Sequence, residues 1–367
     1  MSNTFEKLAN HISQLGMGFP LREDLIDILK ETFSEIEAEV ALSIPNRVIP
    51  LQPFKVDDIG RDLDISRERL GKILEGLAER GLIFSAKTED DSTGYALQQI
   101  GFGFPQSFFW KGEKTPHAVK MAGLIGKYFN RKVTAEAYSA GTKPYRYIPI
   151  EESLDKETQA VLPEHMMKPI IEQAEIIVLA HCPCRVATKI TGRGCDHPTD
   201  VCMKFNDMAR YLLDRGLGKE ITKPEAHDVI RRSEEAGLVH FVDNAEGEVQ
   251  HNCNCCGCSC WNVGSLKRRK IPRDILMACY FIRETENDEC TACGECVDIC
   301  PVAAVELRDD TAVVDIEWCI GCGVCARVCA SDAITIKERP DKSSRLPASN
   351  HEDLHKIILE EKAENWD

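Results

Sequence analysis

Cys290-Thr-Ala-Cys293-Gly-Glu-Cys296-Val-Asp-Ile-Cys300-Pro301 and Cys319-Ile-Gly-Cys322-Gly-Val-Cys325-Ala-Arg-Val-Cys329-Ala330 carry the same spacing twice, C-x2-C-x2-C-x3-C. Three thiolates so close together grip one face of a cubane [4Fe-4S] cluster, and the fourth, three residues further on, points to a second one. This reading assigns Cys290, Cys293, Cys296 and Cys329 to one cluster, and Cys319, Cys322, Cys325 and Cys300 to the other. The alternative is zinc, which C-x2-C pairs also bind, but zinc needs only four ligands per ion and interlocked runs of this kind suit cubanes.

The two blocks repeat with a period of 29 residues, and the match runs on from Pro301-Val-Ala-Ala-Val305 to Ala330-Ser-Asp-Ala-Ile334, as an internal duplication would leave it. Residues 281 to 340 thus resemble the bacterial-type two-cluster ferredoxins. The resemblance implies one-electron transfer, a pseudo-twofold β-α-β fold and oxygen-sensitive clusters. Ala330 departs from the family, which has proline after the last cysteine; that proline shapes backbone and ligates nothing.

The chain has 367 residues, room for two or three domains, and 18 cysteines in C-x2-C, C-x-C and C-C spacings. Clustering of this kind favours metal ligation over a disulfide scaffold. A polar start and the lack of an eighteen-residue apolar run lead to the expectation of a soluble, cytoplasmic protein with no membrane partner. The formal charge of -15 suits docking onto a basic patch of a redox partner and argues against nucleic acid.

Upstream, Leu25, Ile28, Leu29, Phe33, Ile36 and Val40 recur at helical spacing and predict one long first helix. Val56 to Leu63 reads as a short helix and Arg67 to Arg80 as another, capped by Ser66 and closed by Gly81. Leu82 to Phe84 and Tyr95 to Leu97 read as strands of a hairpin. This order resembles a winged-helix domain, with Arg67 to Arg80 in the place of the recognition helix. Between residues 21 and 100 ten Lys/Arg face seventeen Asp/Glu, a net -7, so DNA binding would rest on a local face of Arg61, Arg67, Arg69 and Lys72. A docking or scaffold role fits the charge better.

Ten cysteines remain. Cys182 and Cys184 lie in His181-Cys-Pro-Cys-Arg185, Cys195 and Cys202 in Cys195-Asp-His-Pro-x3-Cys202, and Cys253, Cys255, Cys256, Cys258 and Cys260 in Asn252-Cys-Asn-Cys-Cys-Gly-Cys-Ser-Cys-Trp261. The expectation is two further [4Fe-4S] clusters: one on Cys182, Cys184, Cys195 and Cys202, the other on four of the remaining five, with ligand sharing between segments left open. Zinc, or an unusual site-open cluster, are the alternatives. His181, His197 and His251 are read as flanking residues, Arg185 and Lys189 as positive charge beside a cluster, and Cys279 as a buried thiol. Between the segments, Thr222-x2-Glu225, Pro224 and Gly237 mark a capped helix leading into a strand.

Taken together, C-P-C-R, C-D-H-P-x3-C, C-N-C-C-G-C-x-C, the winged-helix-like start and the terminal ferredoxin block resemble a family of multi-cluster ferredoxin-type proteins of strict anaerobes. Ser259 departs from a C-C-C ending in that family, which implies that its position is not an essential ligand. The fold expected is α+β: a winged-helix-like domain (1–110), a connecting segment (111–180), a Cys-rich cluster-binding domain (181–279), a two-cluster ferredoxin domain (280–340) and a tail (341–367) packed on the body or on a second subunit. The function expected is electron transfer to or from a redox partner, alone, as a homo-oligomer or within a larger oxidoreductase complex. The alternatives are a reductase with an unusual cluster and a winged-helix redox regulator. No phosphate-binding glycine loop stands out.

Overall fold

The duplication is written into the backbone of the C-terminal part. The computed structural model describes residues 3–268, 271–340 and 347–363. Strand Phe281–Thr285 pairs antiparallel with Ile334–Glu338, and Val305–Arg308 pairs with Thr311–Val314, so the first strand of each repeat meets the last strand of the other. Short helices Glu295–Asp298 and Val324–Arg327 occupy equivalent places in the two repeats. Left-handed backbone recurs at equivalent positions: Ala292 (φ 55°) with Gly321 (φ 61°), Gly294 (85°) with Gly323 (76°), and Ala303 (51°) with Asp332 (52°). Such turns aim successive side chains and amides inward around a small volume.

Upstream, a six-stranded antiparallel sheet holds the middle of the chain. Its strand order is Tyr145–Ile148, Val239–Asp243, His251–Cys255, Cys202–Phe205, Ile177–Ala180, Lys219–Glu220. The sheet therefore draws strands from both the 111–180 and the 181–279 ranges. The capped helix lies at Lys223–Glu235, with Thr222 and Glu225 closing a capping box and Gly237 at φ +65° turning the chain into the next strand.

In the N-terminal part, the long helix expected over residues 25 to 40 is two, Glu23–Thr32 and Glu35–Leu42, preceded by a further helix Thr4–Ser13. The break falls at Ser34, whose capping box with Glu37 satisfies amides that a continuous helix would have used. Apolar periodicity runs through the break because both helices bury the same side. The segment after Val56 is a single 3-10 turn, Val56–Asp58. Helix Arg67–Glu79 is capped by Ser66 and leads through Gly81 into a three-stranded sheet of Phe54–Lys55, Thr93–Leu97 and Ile83–Lys87. The helix His351–Ala363 returns to the body, burying Leu354 and Ile358 against Ala140 and Ala245, while Glu361 accepts from the Thr142 amide at 2.7 Å. Residues 341–346 and 364–367 of the tail lie outside the described residues. No helix among the described residues is long and apolar enough to cross a membrane.

Candidate iron–sulfur centres

Two cavities lie inside the duplicated unit. One is lined by Cys290, Cys293, Cys296 and Cys329. The other is lined by Cys300, Cys319, Cys322 and Cys325. Each thus combines three cysteines of one block with the last cysteine of the other. The first is outer, with Cys293 exposed and Cys290 half-buried. Amides of Ala292 and Ala312 hold the Cys290 thiol below its usual range. The second is inner: burial raises the thiols of Cys319 and Cys322 and pushes Cys325 up to about 12. Protonated thiols in a dry pocket mark a place where only a bound cationic centre would make thiolates comfortable.

Arg283 lines both cavities. It is 3% exposed, its Nε donates to Thr285 Oγ1 at 3.1 Å, and Nη1 and Nη2 have no hydrogen-bond partner among the described residues. A buried guanidinium with idle donors is costly unless acceptors sit against it, and the sulfurs of two clusters are such acceptors. The residues present therefore fit the group that the spacing demands. Sequence reading missed Arg283; its signal is an arginine on the inward face of a strand, in step with Phe281 and Thr285.

The upstream cysteines sort across the sequence segments rather than within them. Cys182, Cys184, Cys260, Cys255, Cys253 and Cys202 form a ring of six thiols, four on buried residues and two, Cys184 and Cys253, on half-buried ones, each acting on the proton affinity of the next. Hydrogen bonding between neighbours, with burial opposing ionisation, alternates them: Cys182, Cys260 and Cys253 are lowered, Cys184, Cys255 and Cys202 raised. Cys260 Sγ lies 3.4 Å from Cys255 Sγ. The sheet builds half of this ring, since pairing of Met203 with Asn252 sets Cys202 alongside Cys253, and Cys255 follows on the same face. Cys182 immediately precedes helix Pro183–Ile190, whose first turn carries Cys184.

Two buried cations accompany the ring. Burial opposes the charge of Lys204, but Cys202, Cys253 and Asp243 outweigh it and raise its proton affinity. Arg185 behaves likewise beside Cys182, Cys255 and Cys256; it donates to Asn254 O at 2.9 Å and keeps Nε and Nη1 without partners among the described residues. Arg185 was expected near a cluster. Lys204 was not, although it stands two residues after Cys202 in a strand. Lys189 lies near the end of the helix that begins at Cys182, with its backbone against Gly194.

Cys195 belongs elsewhere. Its sulfur, those of Cys256 and Cys258, and a ring nitrogen of His197 all lie within 4.8 Å of one another. The expected grouping of Cys195 with Cys182, Cys184 and Cys202 is therefore not the one the structure assembles; the loop after Gly194 swings Cys195 toward the turn at Cys256. His181 bonds Thr199 Oγ1 at 3.0 Å, and His251 faces Asp243 at 3.1 Å, so neither joins the thiol ring. Cys279 is buried, donates to Phe281 O at 3.1 Å, and is raised to about 12 by burial.

The ring and the inner cavity are neighbours. Gly257, in the loop between Cys255 and Cys260, packs so closely that an added Cβ would come 2.0 Å from the carbonyl oxygen of Pro301, which lines the inner cavity. Tyr147 is fully buried, its hydroxyl has no partner among the described residues, and burial, with smaller contributions from Cys279, Cys260, Cys255 and Cys322, pushes its proton affinity up.

The duplicated strands and the paired cysteine-lined cavities give the C-terminal part the architecture of a ferredoxin-type iron–sulfur domain. Residues 282–335 match the 4Fe-4S dicluster domain family. Over 52 residues the chain is 38% identical to one component of the ion-translocating oxidoreductase complex of Methanosarcina acetivorans, a match covering 14% of this chain and 20% of that protein. Over 28 residues it is 54% identical to Ferredoxin-2 of Desulfomicrobium norvegicum, covering 8% of this chain and 48% of that one. The chain thus spans less than half the length of these relatives, in each case over a short stretch.

Proposed function

We propose that this protein relays electrons between a partner docked at its C-terminal domain and a further cluster held in its middle domain. Cys290, Cys293, Cys296 and Cys329 hold the outer [4Fe-4S] cluster and Cys319, Cys322, Cys325 and Cys300 the inner one. When bound, each supplies a one-electron couple whose potential is set by its surroundings. The thiol ring of Cys182, Cys184, Cys202, Cys253, Cys255 and Cys260 holds the third centre, with Lys204 and Arg185 balancing its charge.

The observation that carries the relay is the close packing of Gly257, in the loop between Cys255 and Cys260, on Pro301, which lines the inner cavity beside Cys300. An isolated carrier gains nothing from aligning a second thiol group behind its inner cluster. At the other end, Glu284, Glu286, Asp288, Glu289, Glu295 and Asp298 are exposed around the outer cysteines, a rim suited to the basic patch of a redox protein.

The N-terminal unit is read as a winged-helix-like scaffold. Three of the four side chains that a DNA-reading face would use are paired: Arg61 with Asp58, Arg67 with Asp57 at 2.7 Å and Lys72 with Glu68 at 2.5 Å.

The test is an anaerobic redox titration followed by electron paramagnetic resonance, comparing the full chain with a Cys253→Ser, Cys260→Ser variant. The relay predicts a third centre that the variant loses while both ferredoxin signals persist. A full chain showing only the two ferredoxin centres would refute it.

A further inference from the structure

We propose that Cys195, His197, Cys256 and Cys258 bind a single zinc-type ion in a closed Cys3His site, in place of a fourth cubane. The site stands on contact distances and donor chemistry and does not depend on the relay.

The Sγ atoms of Cys195 and Cys256 are 3.7 Å apart, and Cys258 Sγ is 3.9 Å from His197 Nδ1. A tetrahedral ion with metal–sulfur bonds of about 2.3 Å and a metal–nitrogen bond of about 2.0 Å places sulfurs about 3.8 Å apart and sulfur and nitrogen about 3.5 Å apart. The Cys195–Cys256 separation is already at that size, and all four donor atoms lie within 4.8 Å of one another. Four donor atoms so close together, one of them an imidazole nitrogen, form the donor set of a single ion.

The surroundings suit a thiolate-bound ion. The Ser259 amide donates to Cys256 Sγ at 3.5 Å, and Ser259 Oγ is 3.3 Å from Cys195 Sγ. Ligand sulfurs in metal sites are held by such second contacts. Cys258 is exposed and lines a solvent-open cleft with Arg193, Trp261 and Arg268, which gives an ion a way in.

The tetrad also alternates with the thiol ring along the chain. Cys195 and His197 lie between Cys184 and Cys202, while Cys256 and Cys258 lie between Cys255 and Cys260. One ion bridging the two loops would clasp both segments that carry the ring, and Gly257, packed so tightly that a Cβ would come 2.0 Å from Pro301 O, seats the clasp on the inner-cluster loop.

The test is metal analysis and zinc-edge X-ray absorption on the anaerobically purified full chain. The proposal predicts one zinc per chain with a first shell of three sulfurs and one nitrogen. In a His197→Ala, Cys258→Ser variant, zinc should fall at least tenfold with iron and sulfide unchanged. His197→Cys, a variant that keeps four ligands, should retain zinc in an all-sulfur shell. Zinc absent from the parent chain, a mononuclear iron signal at this site, or loss of about four irons from the double variant would each overturn the assignment.

Discussion

Replacing Arg283 with methionine is expected to lower the potentials of both ferredoxin clusters together. The guanidinium lines both cavities, is 3% exposed and has two nitrogens without partners among the described residues. Adding an electron to either cluster adds negative charge beside it. At an effective dielectric constant of about 20 and a separation of about 5 Å, one unit charge contributes about 3 kcal/mol. For a one-electron couple, where 59 mV corresponds to about 1.4 kcal/mol, that is roughly 130 mV, and protein relaxation brings the expected fall to about 100 mV. Methionine keeps much of the volume without the charge, and Arg283→Lys should restore part of the shift. The assay is protein-film voltammetry on anaerobic protein with iron content checked in parallel. Two intact clusters whose potentials both move by less than about 20 mV would refute the placement of Arg283 as their shared counter-charge.

Other consequences follow from single contacts. Gly321→Ala should cost several kcal/mol and strip the inner cluster, because φ is +61° and the new Cβ would sit 2.3 Å from Phe281 O; iron content and thermal unfolding check this. Leu354→Ala removes a fully buried side chain that ties the last helix to Ala140 and Ala245, costing about 2–5 kcal/mol locally, which should appear as faster amide exchange in residues 351–363. Acid should destabilise the fold below about pH 6.5. Burial lowers His165 to about 3, with Arg146 adding to the effect, and His351 to about 4. Both are neutral when folded and protonate on unfolding, so their contribution is present above about 6.5 and lost as pH falls, at about 1.4 kcal/mol per pH unit for each. A His351→Phe variant should show a shallower loss of melting temperature between pH 6.5 and 4.5; an unchanged slope would contradict the buried neutral histidine.

The sequence was most legible where chemistry constrains spacing. The eight ferredoxin cysteines stand alone in fixing their neighbourhood, since a period of 29 residues carries strands, helices and left-handed turns with it. Ser66, Gly81, Thr222 and Gly237 were equally readable because caps are local. The break at Ser34 was hidden by apolar spacing that two helices share. The upstream thiols were harder for a different reason: Cys202 meets Cys253 only through strand register, and Cys195 meets Cys256 only through a loop, so neither neighbour is visible in linear spacing. Arg283 and Lys204 escaped notice because a lone cation in a strand becomes informative only when the face it occupies is known to be inward.

The central claim is a relay of more than two centres, and the most direct measurement is spin quantitation by electron paramagnetic resonance on fully reduced full-length protein, with iron and acid-labile sulfide counted on the same sample. The account predicts two interacting cubane signals plus a third centre that disappears with Cys253→Ser, Cys260→Ser. About eight irons per chain, two spins and a metal-free thiol ring would contradict it.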